Sequence, residues 1–502
     1  MNLDGALSIA TTGLGNIQSR LGTVSQNVAN AGTPDYSAEI STQENLVAGS
    51  LGMGVRTGAT TRAVDLAMQR ATFQQDTQVA GLTTTTTSLK ALDLVQGAPG
   101  QGSDLASLMG QVADQFTALR ANPSSGAQQQ AVVTAAGNLT GGINALSQAY
   151  TAQRQAAQTG IVGAVNQINT ALVRIGGLSA KIVSTKSAGQ STADLENQRD
   201  AAVHGLSTIL GIKTLNQGNG DLIVTTASGS MLPTRGGMSL QTSDAVMAPG
   251  SAGPAITLGQ VDITGQIEGG QLGANIALRD TTLPAFQAEL DEFSQNLASR
   301  FDAQGLTLFS EPNGTVPAGG GTPVQSGYVG FAGTIGVNVA VRARPALVRD
   351  GTGAVAGSST GASAFTPNPA GGPAGFTALI DRIATFALGA EAQSGVPWPA
   401  ANTTGLGPDG KIDAPYAAPA TLGGHAAGLV AAQAAVSAGA SAQLSNGQAL
   451  QQTLRAKLSA ASGVNMDTEM SHMIELQNAY SANARIIGTV QTLFTDLLQM
   501  IR

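Results

Sequence analysis

Apolar residues recur at Leu3, Leu7, Ala10, Leu14, Ile17, Leu21, Val24 and Val28, in alternating steps of four and three. That spacing predicts a helix with one narrow seam of the kind that packs in coiled coils. Gly5, Gly13, Gly15 and Gly22 lie off the seam, and each costs about 1 kcal/mol of helix stability relative to Ala, so this helix is expected to need a partner. Asn30-Ala31-Gly32-Thr33-Pro34 ends the pattern, because Gly and a pre-proline residue both disfavour further helix; a loop to about Ala59 is expected.

The far end mirrors the first. Ser462-Gly463 breaks the chain, Asn465 can cap a helix, and Asp467 and Glu469 suit its positive start. Met466, Met473, Tyr480, Ile487, Phe494 and Ile501 then recur every seven residues, widened by Met470, Leu476, Ala484, Val490, Leu497 and Leu498. Two seams at opposite ends, each too narrow to make a domain, predict that the termini meet one another and neighbouring copies. Both sets are candidate assembly-interface residues.

Between them, helical periodicity covers 82–94, 104–120 and 128–182. Thr83 to Thr87 is a β-prone run, but the flanking periodicity favours helix through it. After Leu210 the period falls to two, and strands at 212–215 and 221–226 around Asn216-Gln217-Gly218-Asn219-Gly220 predict a hairpin. Helix returns over 274–303, with Pro284 marking a kink or the first turn of a second helix. Alternating Ile335, Val337, Val339 and Val341 predict another β or irregular stretch within 306–375, before a short helix at 376–388 and an Ala-rich helix at 425–458.

The expected fold is therefore mainly α with inserted β modules. An N-terminal coiled-coil segment and loop (1–59) pairs with a C-terminal coiled-coil helix (462–502), and a long-helix bundle occupies 60–210. A β-rich insertion (211–273), a helical return (274–305), a variable β or irregular outer insertion with a short helix (306–424) and a second helical return (425–461) complete the chain. Its 502 residues exceed a single core at about 100–200 residues per domain, so two to four domains are expected.

Composition narrows the function classes. Charged residues are only 11% of the chain and the net charge is -7, without the clustered Lys and Arg that nucleic acid or anionic membranes require. The absence of cysteine excludes disulfides, zinc-thiolate sites and thiol nucleophiles. No stretch approaches the ~18 apolar residues of a membrane span, and Met1-Asn2-Leu3-Asp4-Gly5 has no basic region, so neither an anchor nor a cleaved signal peptide is expected.

Candidate chemistry is sparse. His204, His425 and His472 lie far apart and outside any metal-ligand spacing; His472 reads as a packing or interface residue, the other two as helix-surface positions. Gly405-Leu406-Gly407-Pro408-Asp409-Gly410-Lys411 matches dinucleotide and phosphate-loop patterns. Ile412 stands where a metal-holding Ser or Thr belongs, however, and Pro415 and Pro419 preclude the following helix, which leaves a solvated turn. Asp291-Glu292 sits on an amphipathic helix pattern where adjacent side chains diverge, so no acid/base pair forms. No catalytic, cofactor-binding or metal residue is assigned, and no enzyme activity is expected.

Ser25-Gln26-Asn27-Val28-Ala29-Asn30-Ala31-Gly32-Thr33-Pro34-Asp35-Tyr36-Ser37 resembles the N-terminal motif of the flagellar axial proteins, the family of rod, hook, junction and filament subunits. Asn27, Asn30, Thr33, Pro34 and Tyr36 are its motif positions; the family commonly has Gly where Asp35 stands, so the turn is expected to differ there. Ser462-Gly463-Val464-Asn465-Met466-Asp467 and Leu476-Gln477-Asn478-Ala479-Tyr480-Ser481-Ala482-Asn483-Ala484-Arg485 resemble its C-terminal signature. Glu196-Asn197-Gln198-Arg199-Asp200, and Gly269-Gly270-Gln271-Leu272-Gly273 leading to Leu278-Arg279-Asp280, are similar to the junction subunits of that family. The resemblance implies an extracellular structural subunit between hook and filament, exported through the flagellar type III channel without a cleaved signal peptide. Its implied partners are its own copies, hook protein, a second junction protein and an export chaperone, with no cofactor, nucleic acid or membrane. Another axial subunit, hook protein or flagellin, is the alternative.

Overall fold

The computed structural model describes residues 3–48, 51–97, 100, 102–417 and 419–500. Helix α1 (Leu3–Asn30) leads into β1 (Glu39–Ile40), a hairpin of β2 (Gln43–Ala48) and β3 (Leu51–Thr57), and β4 (Thr61–Arg62), which pairs antiparallel with β1. The long helices α2 (Leu66–Gln96), α3 (Leu105–Ala121), α4 (Gly126–Ser187) and α5 (Ala193–Ile209) follow. Strands β5 (Ile212–Asn216), β6 (Leu222–Thr226) and β7 (Met231–Leu232) form one antiparallel sheet, and β8 (Leu240–Gln241), β9 (Thr257–Leu258) and β10 (Val261–Asp262) another. Helix α6 (Gly270–Ala277) passes through a π-helical turn, Leu278–Thr282, into α7 (Leu283–Ala303).

Beyond α7 the regular elements are short. They are β11 (Phe309–Ser310) paired with β12 (Gly336–Val337), α8 (Val339–Ala343), α9 (Leu347–Asp350), α10 (Ala378–Arg382), and β13 (Glu391–Gln393) paired with β14 (Val396–Pro397). Two long helices, α11 (Leu422–Ser462) and α12 (Met466–Met500), end the described chain.

Local sequence sets the helix boundaries. The side chains of Asp65, Asp104, Ser125 and Thr421 accept hydrogen bonds from the first free backbone N–H groups of α2, α3, α4 and α11. Asn465 does the same for α12, accepting from Asp467 N at 3.0 Å and Thr468 N at 3.2 Å, in the capping role its position predicts. The threonine run lies within α2, where Thr83, Thr84 and Thr87 donate to the carbonyls of Val79, Ala80 and Thr83 one turn back. Their hydroxyls are thereby satisfied inside the helix despite its β-branched crowding. Pro284 follows directly on the π-helical turn, so the backbone bond its missing N–H removes falls at the irregular point of a continuous helix.

The 62-residue helix α4, about 93 Å long at 1.5 Å per residue, joins two cores. Its first half packs with α3, α7 and the start of α11 through Val132, Leu139, Ile143 and Tyr150. Its second half packs with α5, α6 and β6 through Ile161, Ile168, Leu172 and Ile175. A third, small cluster forms where α1 meets α12. The 28-residue α1 and 35-residue α12 run antiparallel, as do α2 and α11, whose contacts run from Gln75 with Gly447 O to Gln96 with Val430 O.

The structure departs from the sequence expectations in several places. The stretch expected as a loop to Ala59 contains the β2–β3 hairpin. The alternating valines do not form an extended strand; Gly336–Val337 pairs with β11, and Asn338 then caps a short helix. Leu308, Phe331, Ile335, Val348 and Ile380 all enter the same core as α3, α4 and α7, so this part of 306–424 is wrapped into the main body by its own apolar residues. His425 is buried against Phe293 and Tyr416, not on a helix surface; burial, with the charge of Arg300 adding to it, lowers its pKa to about 4.

Helix α7 is buried around nearly its whole circumference, which overturns the amphipathic expectation for Asp291 and Glu292. Asp291 accepts from the amides of Gly330 (2.7 Å) and Ala332 (2.9 Å), while Glu292 accepts from the Tyr328 hydroxyl (2.5 Å) and the Asn402 amide (2.8 Å). These carboxylates fasten two loops to the helix. Phe301, fully buried between Phe116 (5.8 Å) and Phe309 (5.1 Å), tests the larger core. Phe301→Ala should lower its stability by about 3–5 kcal/mol, read as an earlier denaturant midpoint in that core's transition.

Candidate functional site

The two chain ends form one antiparallel pair. Ile17 and Val24 of α1 pack on Leu476 of α12, with Leu21, Val28, Met473 and Ala479 around them. A Cβ placed on Gly13 would lie 3.2 Å from Asn483 Oδ1, so the glycine lets the helices approach closely there. Of the α1 seam, Ala10, Ile17 and Val24 are buried, and Leu3, Leu7, Leu14, Leu21 and Val28 are half-buried.

On α12 the expected seven-residue row flanks the contact with α1 and does not centre on it. Met466 and Tyr480 are exposed, Met473, Ile487 and Phe494 are half-buried, and the deepest apolar side chains are Leu476 and Val490. The row that faces α1 most squarely is Glu469, Leu476, Asn483 and Val490, which is seven-spaced but includes two polar residues. Leu497 is exposed, and Ile501 lies outside the described residues. One partner helix covers one stripe, leaving Met470, Ile474, Ile486, Leu493, Leu497 and Leu498 between 45% and 65% exposed.

The motif after the seam builds the joint between this pair and the helical body. Asn27, 1% exposed, uses its whole side chain: Nδ2 donates to Glu39 O and Glu469 Oε1, both at 2.9 Å, and Oδ1 accepts from Glu39 N (2.9 Å) and the Tyr36 hydroxyl (3.0 Å). Burial, with the charge of Glu39 adding to it, raises the Tyr36 pKa, which keeps that hydroxyl a donor. Asn30 accepts from the Thr33 hydroxyl at 3.1 Å, stiffening the turn, whereas Thr33 and Pro34 are themselves exposed.

From the body side, Asn197 of α5 donates to Ser37 O (3.1 Å) and Glu39 Oε1 (3.3 Å). Arg62 bridges Glu196 (3.0 Å) and Asp200 (2.7 Å) while also donating to Asn197 (3.2 Å). Ser462, at the break between α11 and α12, accepts from Ala38 N (2.9 Å) through its carbonyl and from Asp65 N (3.0 Å) through its hydroxyl. The segment Glu196 to Asp200 is therefore a fastening for the motif loop, a role its sequence does not disclose. Gly270 has a similar structural cause: φ is +63°, and a Cβ there would lie 2.5 Å from the carbonyl carbon of Ile209.

Sites for chemistry are sparse in this arrangement. Among the described residues no group of His, Asp and Glu is placed to hold a metal ion, and no helix is long and apolar enough to cross a membrane. The loop from Gly405 to Lys411 closes on itself through a bridge between Leu406 and Ile412, and the Gly407 amide donates to Gln325 Oε1 at 2.6 Å. His472 is exposed, and His204, expected on a helix surface, is largely buried beneath the motif loop.

Residues 89–315 match the sequence model of the Flagellar hook-associated protein FlgK helical domain, and residues 458–500 that of the Flagellar basal body rod FlgEFG protein C-terminal region. Over residues 89–315 the chain is similar to FlgK. Flagellar hook-associated protein 1 of Salmonella typhimurium is 28% identical over 314 residues, covering 59% of this chain and 55% of the relative; that of Escherichia coli K12 is 27% identical over the same length, covering 59% and 56%. The chain thus aligns with about half the length of the curated relatives it matches. The flagellar hook junction protein FlgK from Burkholderia pseudomallei shares 26% identity over 49% of this chain and 45% of its own, with a TM-score of 0.41.

The joint depends on Asn27 more than on any single apolar contact. Asn27→Ala leaves the Glu39 amide, the Tyr36 hydroxyl and Glu469 without this partner, at about 1–3 kcal/mol for each buried group stranded. Hydrogen exchange in α12 should accelerate at least tenfold, with α4 amides unchanged.

Proposed function

We propose that this protein is a structural subunit of the hook–filament junction of a bacterial flagellum, polymerising through the paired helices α1 and α12. The observation that carries this reading is the apolar surface that α1 leaves uncovered on α12, where large side chains stay half-exposed beside the packed stripe, across from it at Met470 and Ile474, and at its far end at Leu497. Taking such a side chain from full exposure to burial contributes about 1.5–3 kcal/mol, and roughly half of that remains to be gained at each position that a neighbouring copy covers. The FlgK-like helical domain supports a junction position. In this reading the subunit is extracellular and is exported by the flagellar type III apparatus without a cleaved signal peptide. Its neighbours are its own copies, hook protein and a second junction protein, with a chaperone guarding the C-terminal helix before assembly. It performs no catalysis.

The match of residues 458–500 to rod-protein C-termini favours one alternative, another axial subunit such as hook protein or flagellin with the same terminal mechanics. A deletion strain separates the two, since loss of a junction subunit leaves hooks without filaments and filament subunits in the medium. Ile474→Asp and Leu497→Asp test the surface itself. Both positions are exposed in the single chain, so the monomer should remain folded and soluble while incorporation into flagella fails, because each introduces an unpaired charge into an apolar contact. Normal filament growth with both variants refutes the role of this face.

A further inference from the structure

The loop after α1 is tied to the helical body at a second point, through charge. Asp35 is the one non-glycine residue with positive φ among the described residues, at +62°. This left-handed turn takes the place of the expected glycine and carries a carboxylate, Oδ2 of which lies 2.6 Å from Nδ1 of His204. The other ring nitrogen, Nε2, lies 2.7 Å from Oδ2 of Asp76 on α2, and Phe73 stacks on the ring at 4.8 Å. A neutral imidazole has one N–H and one lone pair, so two carboxylates facing both nitrogens require the imidazolium.

We propose that His204 is a charge-dependent clasp, holding the turn at Asp35 on the helical body as the imidazolium and releasing that turn when neutral. The two carboxylates are not equivalent. Asp76 has a side chain 1% exposed and also receives Gln451 (2.6 Å) and Arg455 (3.1 Å) from α11; Asp35 is 22% exposed and has no second donor to its carboxylate among the described residues. When the proton leaves, the remaining N–H stays with Asp76, because stripping a buried carboxylate of a donor costs more than returning Asp35 to water. Asp35 is the partner set free.

The charged groups facing the ring are Asp35 from the loop, Asp76 from α2 and, behind Asp76, Arg455 from α11; Asp200, one turn back on α5, is occupied by Arg62 and Gln69. Burial works against the charge on His204, but the hydrogen bonds and charges of both aspartates outweigh it and hold its pKa at about 9. Since this lies above the ordinary 6.5, the clasp contributes fully below about pH 6.5 and is lost as pH rises through about 9. Asn27 and Asn197 keep the helices joined throughout, so the release is local.

The chain has no cysteine, so Thr33→Cys and Ala201→Cys, both at exposed positions, place two spin labels cleanly across the clasp. Pulsed EPR should give a narrow distance distribution at about pH 7 that broadens between about pH 8 and 10, with circular dichroism showing the helices intact. Asp35→Gly, which keeps the left-handed turn, should be broad at every pH and should lower the His204 pKa, followed by NMR, by at least one unit. A distribution unchanged up to about pH 10, a narrow distribution in Asp35→Gly, or His204 titrating near 6.5 in the unsubstituted chain each overturns the clasp. All of these readouts use the soluble monomer, so they are independent of the assembly role.

Discussion

The structure turns on a shortage of cover. Helices α1 and α12 each carry an apolar stripe that their own polar faces cannot hide, and the nearest surface able to shield one is the other. Because they meet antiparallel, everything between them has to leave and return to the same place, and the antiparallel run of α2 against α11 carries this return into the body. The pairing is also incomplete, since a two-helix contact shields one stripe on each partner and leaves the outer side of α12 wet. Folding and the proposed association would therefore draw on the same helices.

Apolar contact sets how strongly the ends pair, and polar contact sets where. A seam of similar side chains tolerates sliding by one turn, but Asn27 is satisfied in only one register, with Glu469 opposite and Glu39 and Tyr36 beside it. Buried amide and carboxylate groups are costly when mismatched, so this cluster penalises every alternative alignment. The close approach at Gly13 and Asn483 adds a steric marker further along the pair. Arg62 and Asn197 extend the same logic to the body, fixing the angle at which the pair departs from it.

Much of this was legible in the chain before any coordinates. The alternating steps of α1, the cap at Asn465 and the hairpin after Leu210 rest on local rules, and local rules survive folding. What the sequence hid depends on partners distant along the chain. The apolar heptad row of α12 could not reveal that a neighbouring row containing Glu469 and Asn483 is the one that faces α1. His204 and His425 looked like surface residues because what buries each of them lies on other elements, and the apolar residues of 306–424 gave no sign that they would pack between α3 and α7. Asp35 shows the opposite case, a departure from a familiar pattern that marks a specific contact.

The hydrogen bond from Asn27 to Glu469 spans 442 residues, from the first helix to the last. Contacts of such separation form late, whatever the order in which the intervening parts fold, because the loop they close is nearly the whole polypeptide. A nascent chain thus presents α1 without its α12 partner until the final segment is made. A chain ending before α12 keeps the residues of the two larger cores but loses the small core between its ends and the polar contact that fixes their register.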